Sequence, residues 1–261
     1  MIFSKINKSI PLLFILSTIG LLALYFFPYL PSYTRLAIGI LIPIAMFFIF
    51  RKEERLDEKK FLVIMAISFI ATILWDTIAI KFGIWGFHRE NTSIWILGVP
   101  LEEYIFGIWL SSTILGIYTS LPHFKHYPLN TAKISDVTLL VVVFLLQSVA
   151  WLTIIFSDPA SYIKWLIILG AIPSLFYLLR KGETIDEVRL LMTCLIMIAI
   201  AIIIDIIFIK ANAWYYNEQA LAIGRVGIVP IEDLLFTIFT SITIIGIYTS
   251  LPPKKMLTGK W

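Results

Sequence analysis

Six acidic residues stand where carboxyl chemistry would matter. Asp76 and Asp205 lie inside apolar runs, each five residues before a lysine, Lys81 or Lys210. Glu102 and Glu103 follow Pro100, and Glu232 and Asp233 follow Pro230, at the start of two further apolar runs. An ionisable group at membrane depth is expensive to hold and marks either function or a paired structural role. Two structural alternatives stand beside the functional one. A proline at the first helical position with acids in the first turn is an ordinary helix start. Asp76 and Asp205 would alternatively pair with Lys81 and Lys210, although a five-residue spacing pairs less well on a helix than three or four. Two adjacent acids that occur twice, each pair level with an Asp inside a run, favour a functional cluster.

Aromatic residues crowd the same level. Trp85, Tyr104, Phe106 and Trp109 accompany the first acids, and Trp214 and Phe236 the second, with Trp75, Phe87, Trp95, Tyr215 and Tyr216 nearby. One reading is the interfacial belt that membrane proteins carry. The other is an apolar cleft whose ring faces stabilise a cation. Nucleotide and phosphate-loop signatures and a Ser-His-Asp pattern are missing. His123 and His126 have a metal-ligand spacing but sit beside lysines without supporting acids, which reads as a solvated loop. His88 stands alone near the acids as a proton-handling neighbour.

Such residues need elements to hold them at depth. The chain has 261 residues, 59% hydrophobic and 15% charged, with a mean hydropathy of +0.92; globular chains carry about 25% charged residues. The surplus apolar surface calls for lipid. Eight runs have the length that a helix rising about 1.5 Å per residue needs to cross a ~30 Å hydrocarbon core. They run from about Ile10 to Phe27, Thr34 to Phe50, Phe61 to Phe82, Leu101 to Leu121, Asp136 to Ser157, Tyr162 to Leu179, Val188 to Ile209 and Ile231 to Leu251. The expected fold is therefore all-α, a polytopic membrane bundle of about eight helices. The first run reads as a retained span, because Pro28 and Pro31 lead straight into the next. Placing both termini in the cytoplasm puts the larger share of the 21 Lys and Arg on the inner side. The net charge of +4 then reflects topology in a cell membrane rather than a nucleic-acid partner. Cys194, the only cysteine, excludes a disulfide and reads as a packing residue.

Sliding the chain against itself by 129 or 130 residues aligns its halves. Ile117-Tyr-Thr-Ser-Leu-Pro122 recurs as Ile247-Tyr-Thr-Ser-Leu-Pro252, Pro100-Leu-Glu-Glu103 matches Pro230-Ile-Glu-Asp233, and Asp76, Lys81, Trp85 and Phe106 match Asp205, Lys210, Trp214 and Phe236. The expectation is two four-helix repeats, residues 1–130 and 131–261, forming one membrane domain. An even number of spans per copy makes the repeats parallel about an axis along the membrane normal.

The pattern Ile84-Trp-Gly-Phe87 with Pro100-Leu-Glu-Glu-Tyr-Ile-Phe106, echoed by Ala213-Trp-Tyr-Tyr216 with Pro230-Ile-Glu-Asp-Leu-Leu-Phe236, resembles the lycopene cyclase family of the heterodimer-derived, non-flavin type, in its fused two-copy form as in archaea. The resemblance covers nearly the whole chain. It implies an intramolecular lyase, a lycopene β-cyclase of carotenoid biosynthesis that converts lycopene to γ-carotene and then β-carotene without a cofactor. Lycopene and carotenoid intermediates, the lipid bilayer and other carotenoid-pathway enzymes are the implied partners. In the implied reaction a carboxyl proton adds to C2, the C1 cation is attacked by the C5=C6 bond, and a proton leaves C6. Paired carboxyls in a dry site suit this, since desolvation and like charge keep one protonated beside an ionised neighbour. Glu102 or Glu232 is the expected donor, with Glu103 and Asp233 as partners and Asp76 and Asp205 as a supporting shell. Trp85, Tyr104, Phe106, Trp109, Trp214 and Phe236 are the expected substrate-binding residues, and no metal is expected. A carotenoid or polyprenyl hydratase and a small-solute transporter are the competing readings. A prenyltransferase would need Asp-x-x-x-Asp motifs, which neither half contains.

Overall fold

The computed structural model describes residues 57–122, 135–155, 161–180 and 185–251. The expected spans from Ile10 to Phe27 and Thr34 to Phe50, together with His123 and His126, lie outside the described residues.

The described chain is mostly helical. Helix α1 (Glu58–Lys81) leads through strand β1 (Trp85–Phe87) and the hairpin β2 (Trp95–Ile96) and β3 (Val99–Pro100) into α2 (Leu101–Ser120). Helices α3 (Asp136–Ile155) and α4 (Tyr162–Leu179) follow. Then α5 (Glu187–Lys210), β4 (Trp214–Tyr216), the hairpin β5 (Arg225–Val226) and β6 (Val229–Pro230), and α6 (Ile231–Ser250) complete the order. Helices α1, α4, α5 and α6 are long and apolar enough to cross a membrane. The short strands are an addition to the all-α expectation: they occupy the connections between helices, where backbone groups must find partners outside the helical ladder.

Helices α1 and α5 are framed by their own charges. Asp57 accepts from the backbone N–H groups of Lys59 and Lys60 at 3.1 and 3.3 Å, and Asp186 accepts from that of Arg189 at 3.1 Å. These side chains cap α1 and α5. Glu58 and Glu187 lie in the first turns and Lys81 and Lys210 in the last, the arrangement that the helix dipole favours.

Helix α2 packs on α1, α5 and α6, and most of its residues are buried. Helix α6 contacts α4 and α5 as well, and α3 lies against α4. The outward faces of α1, α3 and α5 expose Leu62, Ile70, Phe144, Leu145, Leu191 and Leu195, an apolar surface of the kind that lipid or an apolar protein face covers. In α4, residues Ile167–Ala171 widen into a π-turn in which the Ile172 N–H donates to the Ile167 carbonyl. Pro173 follows and has no N–H to give. The Ile168 carbonyl is instead satisfied by Gln147 Nε2 of α3 at 3.0 Å.

Two contacts lock the ends of the bundle. At one end β1 pairs antiparallel with β4, with Trp85 opposite Tyr216, Gly86 opposite Tyr215 and Phe87 opposite Trp214. A Cβ on Gly86 would lie 2.5 Å from the Tyr215 hydroxyl oxygen, so a side chain on one strand requires its absence on the other. At the far end the Tyr118 hydroxyl accepts from the Asp186 N–H and the Tyr248 hydroxyl from the Asp57 N–H, both at 3.3 Å. Arg189 Nε donates to the Tyr118 carbonyl and Lys60 Nζ to the Tyr248 carbonyl, both at 3.1 Å.

Candidate active site

A cavity of about 310 Å³ lies between α1, α2, α4, α5 and α6. Ile64, Ser68, Thr72, Trp75 and Asp76 line it along one stripe of α1, which at about 1.5 Å per residue gives the stripe a length of roughly 18 Å. Asp233, Phe236, Thr240, Ile244 and Ile247 line a comparable stripe of α6. The cavity is therefore long and mostly apolar. Its one concentrated polar end carries Asp76, Glu103, Asp205 and Asp233.

These four carboxyls come from α1, α2, α5 and α6, and all are buried. Asp76 interacts electrostatically with Glu103, and Asp205 with both Asp233 and Glu103, so the cluster joins both halves of the chain. The Trp85 side chain is within hydrogen-bonding reach of Asp76. Asp205 Oδ2 is buried with no hydrogen-bond partner among the described residues. Asp76 and Asp205 form no ion pair with Lys81 or Lys210, whose ammonium groups close the helix ends instead. Among the described residues no group of three or more His, Cys, Asp or Glu is arranged to hold a metal ion.

Asp233 is engaged through both of its carboxylate oxygens. The Tyr162 hydroxyl donates to Oδ1 at 2.5 Å and the Tyr216 hydroxyl donates to Oδ2. Burial, followed by the neighbouring Asp233 and Asp205 charges, pushes the Tyr216 phenol well above its ordinary value, which keeps it an O–H donor.

Two banks of rings flank the acids. Trp75 stands 5.9 Å from Trp85 and 5.2 Å from Phe236, and Trp85 lies 5.1 Å from Tyr162. Opposite them, Phe106 stands 5.3 Å from Trp109 and 5.7 Å from Trp214. Ring faces of this kind stabilise a nearby carbocation.

Glu102 and Glu232 do something else. Oε1 of Glu102 accepts from the Ser93 N–H and hydroxyl at 2.8 and 2.7 Å, and Oε1 of Glu232 accepts from the Ala222 and Ile223 N–H groups at 2.6 and 2.9 Å. Both residues lie outside the cavity lining. Each ties the loop ahead of its helix to the first turn.

The sequence matches the model of the family described as lycopene cyclase over residues 30–121 and 161–251, more than half of the chain. This chain belongs to the lycopene cyclase family. It is similar to the "Bifunctional lycopene cyclase/phytoene synthase" of Sporisorium reilianum (strain SRZ2), 25% identical over 211 residues, which cover 74% of this chain and 30% of that protein. The protein of the same name from Aspergillus oryzae (strain ATCC 42149 / RIB 40) is 25% identical over 200 residues, covering 73% and 34%. That from Phaffia rhodozyma is 22% identical over 214 residues, covering 73% and 32%. The chain spans about a third of the length of these curated relatives. No solved structure matches it.

Within this family member, the cavity gathers Asp76, Glu103, Asp205 and Asp233 with Trp85, Phe106, Trp109, Trp214 and Phe236. It leaves out Glu102 and Glu232, and also Tyr104, whose hydroxyl donates to the Ile96 carbonyl at 2.7 Å. His88 is likewise outside the lining; its Nδ1 lies 3.6 Å from Glu90 Oε1 and its ring 5.0 Å from that of Tyr215. Tyr162 is a residue that sequence reasoning passes over, since a tyrosine opening an apolar run reads as belt. Tyr216 is visible as one aromatic among many at the acid level. Only the convergence of α4, β4 and α6 singles these two out.

Proposed function

We propose that this protein is a lycopene cyclase that closes the ψ end groups of lycopene into β-ionone rings by proton transfer, giving γ-carotene and then β-carotene. The observation that carries the reading is a long apolar cavity with four buried carboxyls and two banks of aromatic rings at one end. Membership of the lycopene cyclase family supports it, as does similarity to the bifunctional lycopene cyclase/phytoene synthases of Sporisorium reilianum and Aspergillus oryzae.

An end group reaching the acids meets a donor and an acceptor among buried carboxyls and aromatic rings. A carboxyl proton goes to C2 of the C1=C2 bond, leaving a tertiary cation at C1. The electrons of the C5=C6 bond form the C1–C6 bond and move the charge to C5. Loss of the C6 proton to a carboxylate makes the ring double bond. Atoms balance without oxidation or reduction, so the step consumes no oxidant or reductant.

The donor role expected of Glu102 or Glu232 passes to Asp205, because the two glutamates lie outside the cavity lining and hold loop amides through Oε1, while Asp205 is in that lining with Oδ2 unengaged. Glu103 and Asp76 hold the adjoining charge balance. The rings beside them stabilise the cations, and the apolar stripes of α1 and α6 hold the polyene arm.

In this reading the chain is a cell-membrane protein of two fused four-helix copies, with both termini cytoplasmic and the acids in the outer half of the bilayer. Support comes from the matching order and length of the helices in residues 58–120 and 187–250.

The test is expression in a lycopene-accumulating bacterial host with chromatography of the pigments. Cyclic product formed without added flavin or nicotinamide is the expected result. Unchanged lycopene in cells that hold folded, membrane-inserted protein would overturn the reading.

A further inference from the structure

We propose that Tyr162 and Tyr216 are positioning residues that hold Asp233 as the ring-closing base and so select which proton leaves the cyclised cation. The inference rests on the cyclase reading and adds the determinant of its product.

The chemistry requires such a determinant. After ring closure the charge sits at C5, and three of the carbons bonded to it carry protons that can leave. Loss from C6 gives a β ring, loss from C4 an ε ring, and loss from the methyl carbon a γ ring. All three protons adjoin the same cation, so the position of the base decides among them. A displacement of about 1 Å is enough to change a rate by two orders of magnitude.

Both oxygens of the cavity carboxylate Asp233 accept from phenol hydroxyls. The donors come from different elements, Tyr162 from the first turn of α4 and Tyr216 from β4, and they grip one carboxylate from two sides. Their own frames are fixed: Tyr162 is almost fully buried, its ring against Trp75 and Trp85, and Tyr216 is paired in the sheet opposite Trp85. A carboxylate with donors on both oxygens is set to receive a proton rather than to give one. Asp205, with an unengaged buried oxygen beside it, is set to give one.

The halves of the chain differ at this point. Phe87 stands 129 residues before Tyr216 and offers no hydroxyl. The grip therefore assigns deprotonation to the second half. In the step itself Asp233 takes the C6 proton, the C6–H electron pair becomes the C5=C6 bond, and the proton returns from Asp233 to Asp205 before the next turnover.

The test compares Tyr162→Phe, Tyr216→Phe and Asp233→Glu with the unaltered protein in membrane vesicles loaded with lycopene. Each variant is checked for a monodisperse profile in detergent, and products are resolved by chromatography and absorption spectra. The phenylalanine variants are expected to cyclise roughly ten- to a hundredfold more slowly and to make ring types absent from the unaltered protein's product. Asp233→Glu, which keeps both phenols and moves the carboxylate by one methylene, is expected to alter the ring mixture too, and it carries the test if a phenylalanine variant does not fold. Folded variants that form only the original ring, at whatever rate, would overturn the proposal. Folded variants with no product would also overturn it, because a positioning residue leaves the chemistry running. Lycopene left unchanged by the unaltered protein would instead bring down the cyclase reading beneath it.

Discussion

Replacing Glu232 with Gln separates the role that its position in the sequence suggests from the role its contacts define. Oε1 accepts two loop N–H groups at 2.6 and 2.9 Å, and Oε2 is buried with no hydrogen-bond partner among the described residues. Gln keeps an acceptor oxygen for both amides but loses the charge, which makes each bond weaker by about 1 kcal/mol. Its NH2 group falls where Oε2 was and finds no acceptor, at a further cost of about 1–3 kcal/mol. The expected result is a stability loss of roughly 3–5 kcal/mol, with a rate per folded molecule within about tenfold of the original, or about 1.4 kcal/mol in the barrier. Asp205→Asn is expected to do the reverse. It removes a proton donor, whose contribution is about 10²- to 10⁴-fold, or roughly 3–5 kcal/mol in the barrier. The assay is initial cyclisation rate in lycopene-loaded vesicles, normalised to protein that remains monodisperse, alongside thermal unfolding in detergent. A Glu232→Gln protein that stays stable yet loses as much activity as Asp205→Asn would refute the assignment.

Three further outcomes are expected. Gly246→Ala places a methyl 2.3 Å from the Tyr177 ring, where α4 meets α6, and overpacking of this kind should lower stability by about 1–3 kcal/mol, read from the unfolding midpoint in detergent. Gln147→Leu strips the donor from the Ile168 carbonyl in the π-turn and should cost about 1–3 kcal/mol in the same assay. Tyr216 should remain protonated well past pH 10.0, the ordinary phenol value; its favourable contribution to stability is full below that value and lost only as pH rises through the raised one. An ultraviolet titration of the protein against Tyr216→Phe checks this, and a tyrosinate difference at ordinary phenol pH would contradict it.

The helices were legible along the chain because their periods and ends are local matters. A lysine, an aspartate cap or a proline decides where an apolar run stops, and the described helices keep within about three residues of the expected spans. The level of the acids was legible too, since rise per residue converts position into depth. Which acid of each adjacent pair faces the cavity was not. Glu102 and Glu103 are separated by about 100° around the helix, and nothing in their order says which side is interior. The loop decides it, by folding back so that Ser93 meets Glu102 while Glu103 turns inward.

Residue types and spacing by themselves determined an apolar helical protein with acids and aromatic rings gathered near one level, because burial energies and helix geometry act on each segment alone. Tertiary structure alone decided that Asp76, Glu103, Asp205 and Asp233 share a cavity, that Glu102 and Glu232 hold loops, and that Tyr162 reaches Asp233 across 71 residues. Those relations depend on rotation about helix axes and on β1 meeting β4, and such degrees of freedom are fixed only when the segments pack together.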